Sequence, residues 1–449
     1  MPMWLCDFEG CRRPAVRTFG DCILCNRHLC SDHLQHAFHG CPKWEDADIY
    51  DPAARAAEAR ELTELIEKIN IPALVARASL LRQGIPCSIP LLQYDRSTRS
   101  SVMGGMNYYV ELSFDDGIKW IACIRSEVAT LEFLELIDVP SPRVFDFALE
   151  NANNSVGVGY ILMEKLPGKS LRWALATQKQ KKNIMNQLAD IFVELHKYPF
   201  DLLGSLDHPG DTHIGAFAQE SLTDFAQSEM RTIGPFSSPE QYHDSSLRLI
   251  LDLILRGEMY SQQAVDAYLI HRFLVDLIPL VSPSPSSSSM QNDQNYYLKH
   301  ADDKGDHILA DEDFNITGII DWEWAYTAPP AHAFNSPIGL LPVGNFYDGV
   351  NDLGDDEIVF ARLFEEKGRQ DLAGFVWNGR VQHRFAFCCG YDLADWSGFL
   401  GLFRGLRDAV KVDEGLDWNE WKAAALHRYK EDVGLQLLLS RHEVTAAGP

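Results

Sequence analysis

The sequence predicts an α+β protein that is preceded by a small two-zinc finger. Six of the ten cysteines fall within the first 41 residues and are interleaved with histidines. Residues 106–125 alternate apolar and polar side chains around Asp115-Asp116-Gly117, a pattern that predicts a β-hairpin. Later segments carry apolar residues at helical spacing. Because the chain has 449 residues, more than a single core usually spans, we expect two or three domains.

The charge of the chain excludes some classes of partner. The sequence has 40 Lys and Arg against 64 Asp and Glu, so the formal net charge is −24. This balance argues against a nucleic-acid-binding protein and against binding to an anionic membrane. No apolar run reaches the roughly 18 residues of a membrane span, and the first residues lack a signal-peptide pattern. We therefore expect a soluble protein that is located in the cytoplasm, with the nucleus as the alternative location.

The N-terminal segment contains eight closely spaced metal-ligand candidates. They are Cys6, Cys11, Cys22, Cys25, Cys30, His33, His39 and Cys41. Eight Cys and His ligands supply two tetrahedral zinc sites. A segment this short buries too little apolar surface to fold alone, whereas structural zinc contributes on the order of 10–16 kcal/mol to small fingers. We predict that the segment unfolds when its metal is removed.

The ligand pattern resembles the AN-one type of zinc finger, in which interleaved ligand pairs hold two ions. The resemblance implies that one zinc is held by Cys6, Cys11, Cys30 and His33. It implies that the other is held by Cys22, Cys25, His39 and Cys41. Residues 1–45 contain five basic and five acidic side chains, so the finger lacks the basic surface of a nucleic-acid reader. We therefore predict that the finger contacts an unidentified protein rather than a nucleic acid.

The segment between the finger and residue 168 predicts helices followed by a mixed lobe. Residues 51–82 have apolar positions at helical spacing and predict one or two linking helices. Gly104 and Gly105 precede the predicted hairpin, where a small-residue loop would allow the backbone to approach nucleotide phosphates, although an ordinary loop fits equally well. Ser126 is a possible N-cap of the helix that follows. The apolar strand at 159–168 has the character of a hinge that faces adenine.

The segment from His300 to His307, followed by Asp321, carries the strongest chemical signal. Phosphoryl transfer requires a carboxylate at the incoming hydroxyl, a cation at the moving charge, and ligands for magnesium on the phosphates. Asp302, Lys304, His307 and Asp321 supply these groups at the spacing of a phosphotransferase catalytic loop. Other acids of this loop, such as Asp303, are expected to be ordinary surface charges.

Residues 100–330 resemble the aminoglycoside phosphotransferase family, in particular its diverged fungal branch. The resemblance is carried by Gly-Gly-Met-Asn-Tyr, Ser-Glu-Val-Ala-Thr, Met-Glu-Lys-Leu-Pro-Gly, Lys-Gly-Asp-His-Ile-Leu and Ile-Ile-Asp-Trp-Glu-Trp-Ala. It implies a two-lobed protein-kinase-like fold and ATP-dependent phosphorylation of a hydroxyl on a small molecule. The implied cofactors are Mg²⁺ or Mn²⁺ with ATP, in addition to the two zinc ions.

The resemblance implies a domain order and residue roles. The expected order is a zinc finger at 1–45, a helical linker at 46–92, a nucleotide-binding N-lobe at 93–168 and a catalytic C-lobe at 169–449. Asp302 is the expected base, Lys304 meets the transferred phosphoryl group, and Asp321 holds the metal. The remaining nucleotide-site candidates are Gly104, Gly105, Arg125, Glu127 and His307. In the C-lobe, Asp392, Asp395 and Glu414 could receive a cationic acceptor, but exposed helix acids explain them better.

Two departures from the family pattern support an alternative without catalysis. Arg125 and Glu127 are too close together to sit on a strand and on the helix behind it. Either Arg125 belongs to the helix cap and Cys123 stands where the phosphate-binding base is expected, or a connecting segment has been lost. His307 replaces the usual Asn, and nitrogen is a poorer ligand than oxygen for magnesium. The alternative is an inactive kinase-like binding or scaffold protein.

Overall fold

The computed structural model describes residues 4–17, 21–22, 24–35, 37–42, 46–90, 92, 109–123, 127–218, 223–226, 229–282, 295–390 and 396–446. In the finger, the short strands β1 (Asp21–Cys22) and β2 (Arg27–His28) pair antiparallel. Its buried cluster is small and consists of Cys6, Leu29 and Cys30. Most of the finger is therefore organised by turns and by its cysteines and histidines.

Two helices follow the finger, as the sequence predicts. Helix α1 spans Ala47–Lys68 and α2 spans Ile71–Leu81. The side chain of Asn70 caps α2 by accepting a hydrogen bond from the backbone N–H of Ala73 at 3.2 Å. Their apolar faces join one buried cluster with the sheet that follows. The helices thus form a layer of the N-terminal half of the body.

The sheet of this half has five antiparallel strands. They are β3 (Cys87–Ser88), β4 (Tyr109–Phe114), β5 (Lys119–Cys123), β6 (Val144–Ala148) and β7 (Tyr160–Glu164). The strand order is β3-β4-β5-β7-β6. The predicted hairpin is β4–β5, and Gly117 takes a positive φ of 87° in its turn, a conformation that favours glycine.

Helix α3 (Val128–Glu135) lies between β5 and β6 and is largely buried. Glu127 occupies its N-cap position and makes no side-chain cap hydrogen bond. The prediction of Ser126 as the N-cap is therefore wrong, and Ser126 itself lies outside the described residues. The helix begins at Val128, which is buried and packs into the core.

The chain passes from the first lobe to the second through Gly168. This glycine has a φ of 102°, and an added Cβ would lie 2.8 Å from the carbonyl oxygen of Ala310. Strand β8 (Lys169–Ser170) then pairs with a hairpin of the second lobe. Other short strands of this lobe are β9 (Ser205–Leu206), β10 (Ile214–Gly215), β11 (Thr223–Ala226), β12 (Glu229–Thr232), β13 (Tyr297–Lys299), β14 (Ile308–Ala310), β15 (Ile316–Ile319) and β16 (Tyr326–Ala328).

The second lobe is mainly helical. Its helices are α4 (Gln178–Leu195), α5 (Pro239–Arg256), α6 (Ala264–Val281), α7 (Pro330–Ala333), α8 (Val343–Tyr347), α9 (Asp355–Glu366), α10 (Gln370–Trp377), α11 (Arg380–Gly390), α12 (Trp396–Val410), α13 (Trp418–Arg428) and α14 (Val433–Ala446). Short 3₁₀ turns occur at Trp173–Leu175 and Ile338–Leu340. The core helix α4 begins with a capping box between Thr177 and Gln180. This mixture of a sheet lobe and a helical lobe confirms the predicted kinase-like α+β class.

The finger contacts the helical lobe. The guanidinium of Arg17 donates to the carboxylate of Glu258 at 2.8 Å, and the backbone N–H of Arg17 donates to the carbonyl of Glu258 at 2.8 Å. Glu258 lies between α5 and α6 and is completely buried. Within the described ranges, no helix is both long enough and apolar enough to cross a membrane.

Candidate active site

The predicted catalytic loop connects β13 to β14, and Asp321 lies two residues beyond β15. Because β14 and β15 form an antiparallel hairpin with Ile308 opposite Ile319, the loop and Asp321 are brought to the same end of it. Asp321 adopts a φ of 69°, which is uncommon for a residue with a Cβ. Backbone strain of this kind occurs at functional positions.

His300 holds the loop in place. Its Nε2 lies 2.9 Å from the carbonyl oxygen of Ile320, and its Nδ1 accepts the backbone N–H of Asp302 at 3.1 Å. One ring nitrogen therefore donates and the other accepts, which is the pattern of a neutral imidazole. Burial lowers the pKa of His300, in agreement with that state. The ring ties the loop to the segment that carries Asp321.

Asp302 and Lys304 form an ion pair on the solvent-facing side of the loop. The Nζ of Lys304 lies 2.9 Å from Oδ2 of Asp302, and the side chains are 60% and 44% exposed, respectively. The hydrogen bond to Asp302 raises the pKa of Lys304. The pair is thus a carboxylate and an ammonium that incoming molecules can reach.

Asp303 is not the surface charge that we expected. It is buried, its Oδ2 pairs with Nζ of Lys299 at 2.9 Å, and its Oδ1 accepts the backbone N–H of Ile338 at 3.0 Å. The expectation was wrong because the spacing of residues in the loop does not predict the hydrogen bond from Ile338, which is 35 residues away in the chain. Asp303 anchors the loop to the helical lobe.

Several carboxylates face one another across the site. Asp321 is exposed as a residue, but its carboxylate is partly buried. This burial is the largest cause that raises its pKa to about 6, and the charges of Glu323 and Asp302 are the next largest. Burial, followed by the charges of Asp321 and Glu323, raises the pKa of Glu127 to about 8. Oε2 of Glu127 is buried without a hydrogen-bond partner among the described residues. A divalent cation would relieve this repulsion, and carboxylate oxygens are the ligands that Mg²⁺ prefers.

His307 fits a metal less well. Its Nδ1 accepts the backbone N–H of Gly305 at 3.3 Å, and its ring stacks on His300 with centroids 4.2 Å apart. Burial lowers the pKa of His307 to about 3, so the ring is neutral, and because Nδ1 accepts this hydrogen bond the proton is on Nε2. In this tautomer neither nitrogen presents a free lone pair to a cation. Its contacts are those of a residue that packs the loop.

The remaining nucleotide-site candidates are described only in part. Gly104, Gly105 and Arg125 lie outside the described residues. Glu127 is brought beside Asp321 at the start of α3, as noted above. The strand that precedes it ends at Cys123, whose backbone pairs with Tyr109 and Ile161. The link from strand to helix is therefore short, in accordance with the sequence spacing.

The structure gathers the eight finger ligands into two quartets. In each, the candidate ligand atoms all lie within 4.8 Å of one another: Cys6, Cys11, Cys30 and His33, and Cys22, Cys25, His39 and Cys41. Nδ1 of His33 lies 3.3 Å from Sγ of Cys6, and Nε2 of His39 lies 3.5 Å from Sγ of Cys25. Zinc–sulfur and zinc–nitrogen bonds of about 2.3 and 2.0 Å place tetrahedral ligands at similar separations. The donor set fits zinc.

A cavity of about 1070 Å³ adjoins the catalytic loop and was missed by sequence reasoning. Its lining includes Ala301, Asp303 and Lys304 of the loop, together with residues from α5, α7 and α11. Asp392 and Asp395 lie outside the described residues, and Glu414 is exposed and does not line the cavity. The lining residues are separated by over 180 positions in the chain, so no local motif marks them.

Comparison with known proteins identifies the family. The model of the phosphotransferase enzyme family, APH, matches residues 108–336, which is 229 of 449 residues, and the chain belongs to this family. A subtelomeric hrmA-associated cluster protein of Aspergillus fumigatus is 35% identical over 130 residues, which cover 28% of this chain and 24% of that protein. The chain thus spans about a quarter of the length of this curated relative.

Two solved structures match most of the chain at low sequence identity and at TM-scores below 0.5. A candidate fructosamine-3-kinase of Thermobifida fusca matches with a TM-score of 0.43 and 12% identity, over 75% of this chain and 98% of that one. An apo aminoglycoside phosphotransferase, APH(4)-Ia, matches with a TM-score of 0.39 and 14% identity, over 77% of this chain and all of that one.

Proposed function

We propose that this protein is an ATP-dependent phosphotransferase that acts on a hydroxyl group of a small molecule. The observation that carries the proposal is the arrangement of the loop: His300 fixes the backbone of Asp302, Lys304 pairs with Asp302, and the hairpin brings Asp321 to the same end. Membership of the phosphotransferase family supports the same reaction class.

In the proposed reaction, Asp302 accepts the proton of the acceptor hydroxyl. The hydroxyl oxygen forms a bond to the γ-phosphorus of ATP, the bond from that phosphorus to the β–γ bridging oxygen breaks, and ADP leaves. Lys304, which already pairs with Asp302, would turn toward the charge on the transferred group. Both side chains are exposed enough to meet two substrates.

Asp321 would hold a magnesium or manganese ion on the nucleotide phosphates. The ion, when bound, neutralises phosphate charge. The carboxylates of Glu323 and Asp302 near Asp321 support a cation at this place. His307 is better suited to packing the loop against His300 than to binding the ion, because its Nδ1 already accepts the N–H of Gly305.

For the finger, we propose two structural zinc ions and a role in protein contacts. Its two ligand quartets support the metal content. The buried pair of Arg17 and Glu258 indicates that one such contact is with its own helical lobe.

A scaffold without catalysis is the second candidate, and His307 is the observation that favours it. Its Nδ1 accepts the backbone N–H of Gly305, and its ring nitrogens are poorer ligands for magnesium than the amide oxygen of the usual Asn. A weaker metal site would weaken nucleotide binding, while the loop of Asp302 and Lys304 would persist.

Calorimetric titration of the zinc-loaded protein with ATP and magnesium tests the proposal. We expect metal-dependent binding that is lost in Asp321→Ala and retained in Asp313→Ala, a matched change at an exposed acid of the β14–β15 turn. Asp302→Asn should retain nucleotide binding but reduce phosphoryl transfer by about 10²–10⁴-fold, the usual contribution of a general base. No binding at millimolar nucleotide would reject the phosphotransferase and favour the scaffold.

A further inference from the structure

The cavity beside the catalytic loop provides information about the acceptor, provided that the proposed phosphotransferase function holds. Its volume of about 1070 Å³ is at the upper end of the usual range of ligand sites, roughly 300–1,000 Å³. Because Ala301 and Lys304 form part of its wall, a molecule inside it can present a hydroxyl to the loop. The composition of the wall therefore constrains the acceptor.

Aromatic side chains form much of this wall. The rings of Phe217 and Tyr242 stack with centroids 4.5 Å apart, and Tyr326 lies 5.8 Å from Phe217. On another side, Phe385 contacts His243 edge to face at 5.0 Å. Each of these residues lines the cavity. Rings that pack on one another in this way present fixed apolar surfaces, which favour an apolar ligand.

The charges on the wall balance one another. Among the described lining residues, the carboxylates are Glu240 and Asp303 and the ammonium groups are Lys299 and Lys304, two of each sign. Asp303 is already paired with Lys299 at 2.9 Å. The described part of the wall therefore carries no excess of the carboxylates that a polycation needs, although the whole chain carries a net charge of −24.

Three histidines of this wall add no charge to it. Burial lowers the pKa of His243 to about 4 and that of His383 to about 3. Burial also lowers the pKa of His332 well below its ordinary value. All three line the cavity and are neutral near pH 7. They supply hydrogen-bonding groups without an electrostatic preference for either sign.

We propose that the acceptor is an apolar alcohol built of rings, aromatic or alicyclic, with no more than one charge, and that a polycationic sugar is not the substrate. The ring system would lie among Phe217, Tyr242, Tyr326 and Phe385, and its hydroxyl would point toward the loop at Lys304, the ion-pair partner of Asp302. The volume of the cavity favours an acceptor with more than one ring, because a single ring would leave most of the cavity unfilled.

Fluorescence titration with 2-naphthol tests this proposal on the full-length, zinc-loaded protein without nucleotide. We expect saturable binding that Ala386→Trp weakens about tenfold or more, because Ala386 lines the cavity and a new indole would fill it. Ala423→Trp, at an exposed position of α13, is the matched control and should bind as the unaltered protein does. Ala331→Trp fills the cavity from α7 and is a second test if Ala386→Trp fails to fold.

Kanamycin, which does not fluoresce and is titrated by calorimetry, provides the polycationic comparison. Saturable kanamycin binding that Ala386→Trp weakens, or 2-naphthol binding that neither filling variant changes, would overturn the proposed acceptor class. So would an absence of 2-naphthol binding to folded protein. The phosphotransferase proposal fails separately, through the loss of metal-dependent ATP binding. ATP-dependent transfer to kanamycin without 2-naphthol binding would retain the reaction and reject this acceptor.

Discussion

In the finger, the buried cluster consists of Cys6, Leu29 and Cys30, and two of these are candidate metal ligands. In the helical lobe, Trp421 is completely buried within a cluster that joins α5, α6, α11, α12, α13 and α14. The finger thus has almost no core apart from its ligands, whereas the body has ample apolar contact of its own. The two regions should respond to different perturbations.

Removal of metal should have the largest effect and should act on the finger and on its contact at Glu258, but not on the core of the body. With excess EDTA, we expect residues 4–42 to unfold, because zinc contributes on the order of 10–16 kcal/mol to such fingers. Hydrogen exchange read peptide by peptide would show loss of protection in the finger and its retention in α4. Equal loss of protection in α4 would show that the body also depends on zinc.

Trp421→Ala should have the next largest effect and should act on the body. Trp421 packs edge to face against Phe403 at 4.6 Å and Phe273 at 5.6 Å, so its truncation should cost about 3–5 kcal/mol. Urea unfolding followed by circular dichroism measures the loss, and the zinc content should stay at two per chain. Trp377→Ala, at a side chain that is 37% exposed, is the control and should cost clearly less.

Acid should destabilise the body through His271. Nδ1 of this buried ring donates to the carbonyl of Ala267, and burial lowers its pKa to about 4 from an ordinary value of 6.5. Between these values only the unfolded chain takes up the proton, so stability falls as pH falls. His271→Leu should reduce the loss of unfolding free energy between pH 7 and 4 by up to about 3 kcal/mol.

The measurement is urea unfolding at a series of pH values, with His427→Leu as the control. His427 is exposed on α13, and its replacement should leave the pH dependence unchanged. An unaltered pH dependence in His271→Leu would show that other groups cause acid unfolding of the body.

The smallest effect is expected where the two regions meet. Arg17→Ala removes a partner of the fully buried Glu258 and should weaken docking of the finger by about 1–3 kcal/mol. Arg13→Ala breaks an exposed pair with Asp32 inside the finger and should cost no more than about 1 kcal/mol. Hydrogen exchange at residues 257–260 measures the docking, and equal exchange in both variants would contradict the proposed difference.

Short-range patterns in the sequence predicted several elements of secondary structure. The β4–β5 hairpin and the linking helices α1 and α2 were predicted, because alternation, helical spacing and turn residues act within a few positions. The grouping of Asp302, Lys304 and Asp321 also came from spacing and from the family resemblance, and the β14–β15 hairpin supplies its geometry.

The sequence by itself determined the composition of the finger, the catalytic-loop motif and the local elements, because each depends on neighbours along the chain. Only the tertiary structure decided that Asp303 is buried against Ile338, that His307 stacks on His300, and that a cavity lined by aromatic rings adjoins the loop. These features join residues from distant segments, and burial sets their protonation and pairing. No local pattern specifies such contacts, since each partner is chosen by packing in three dimensions.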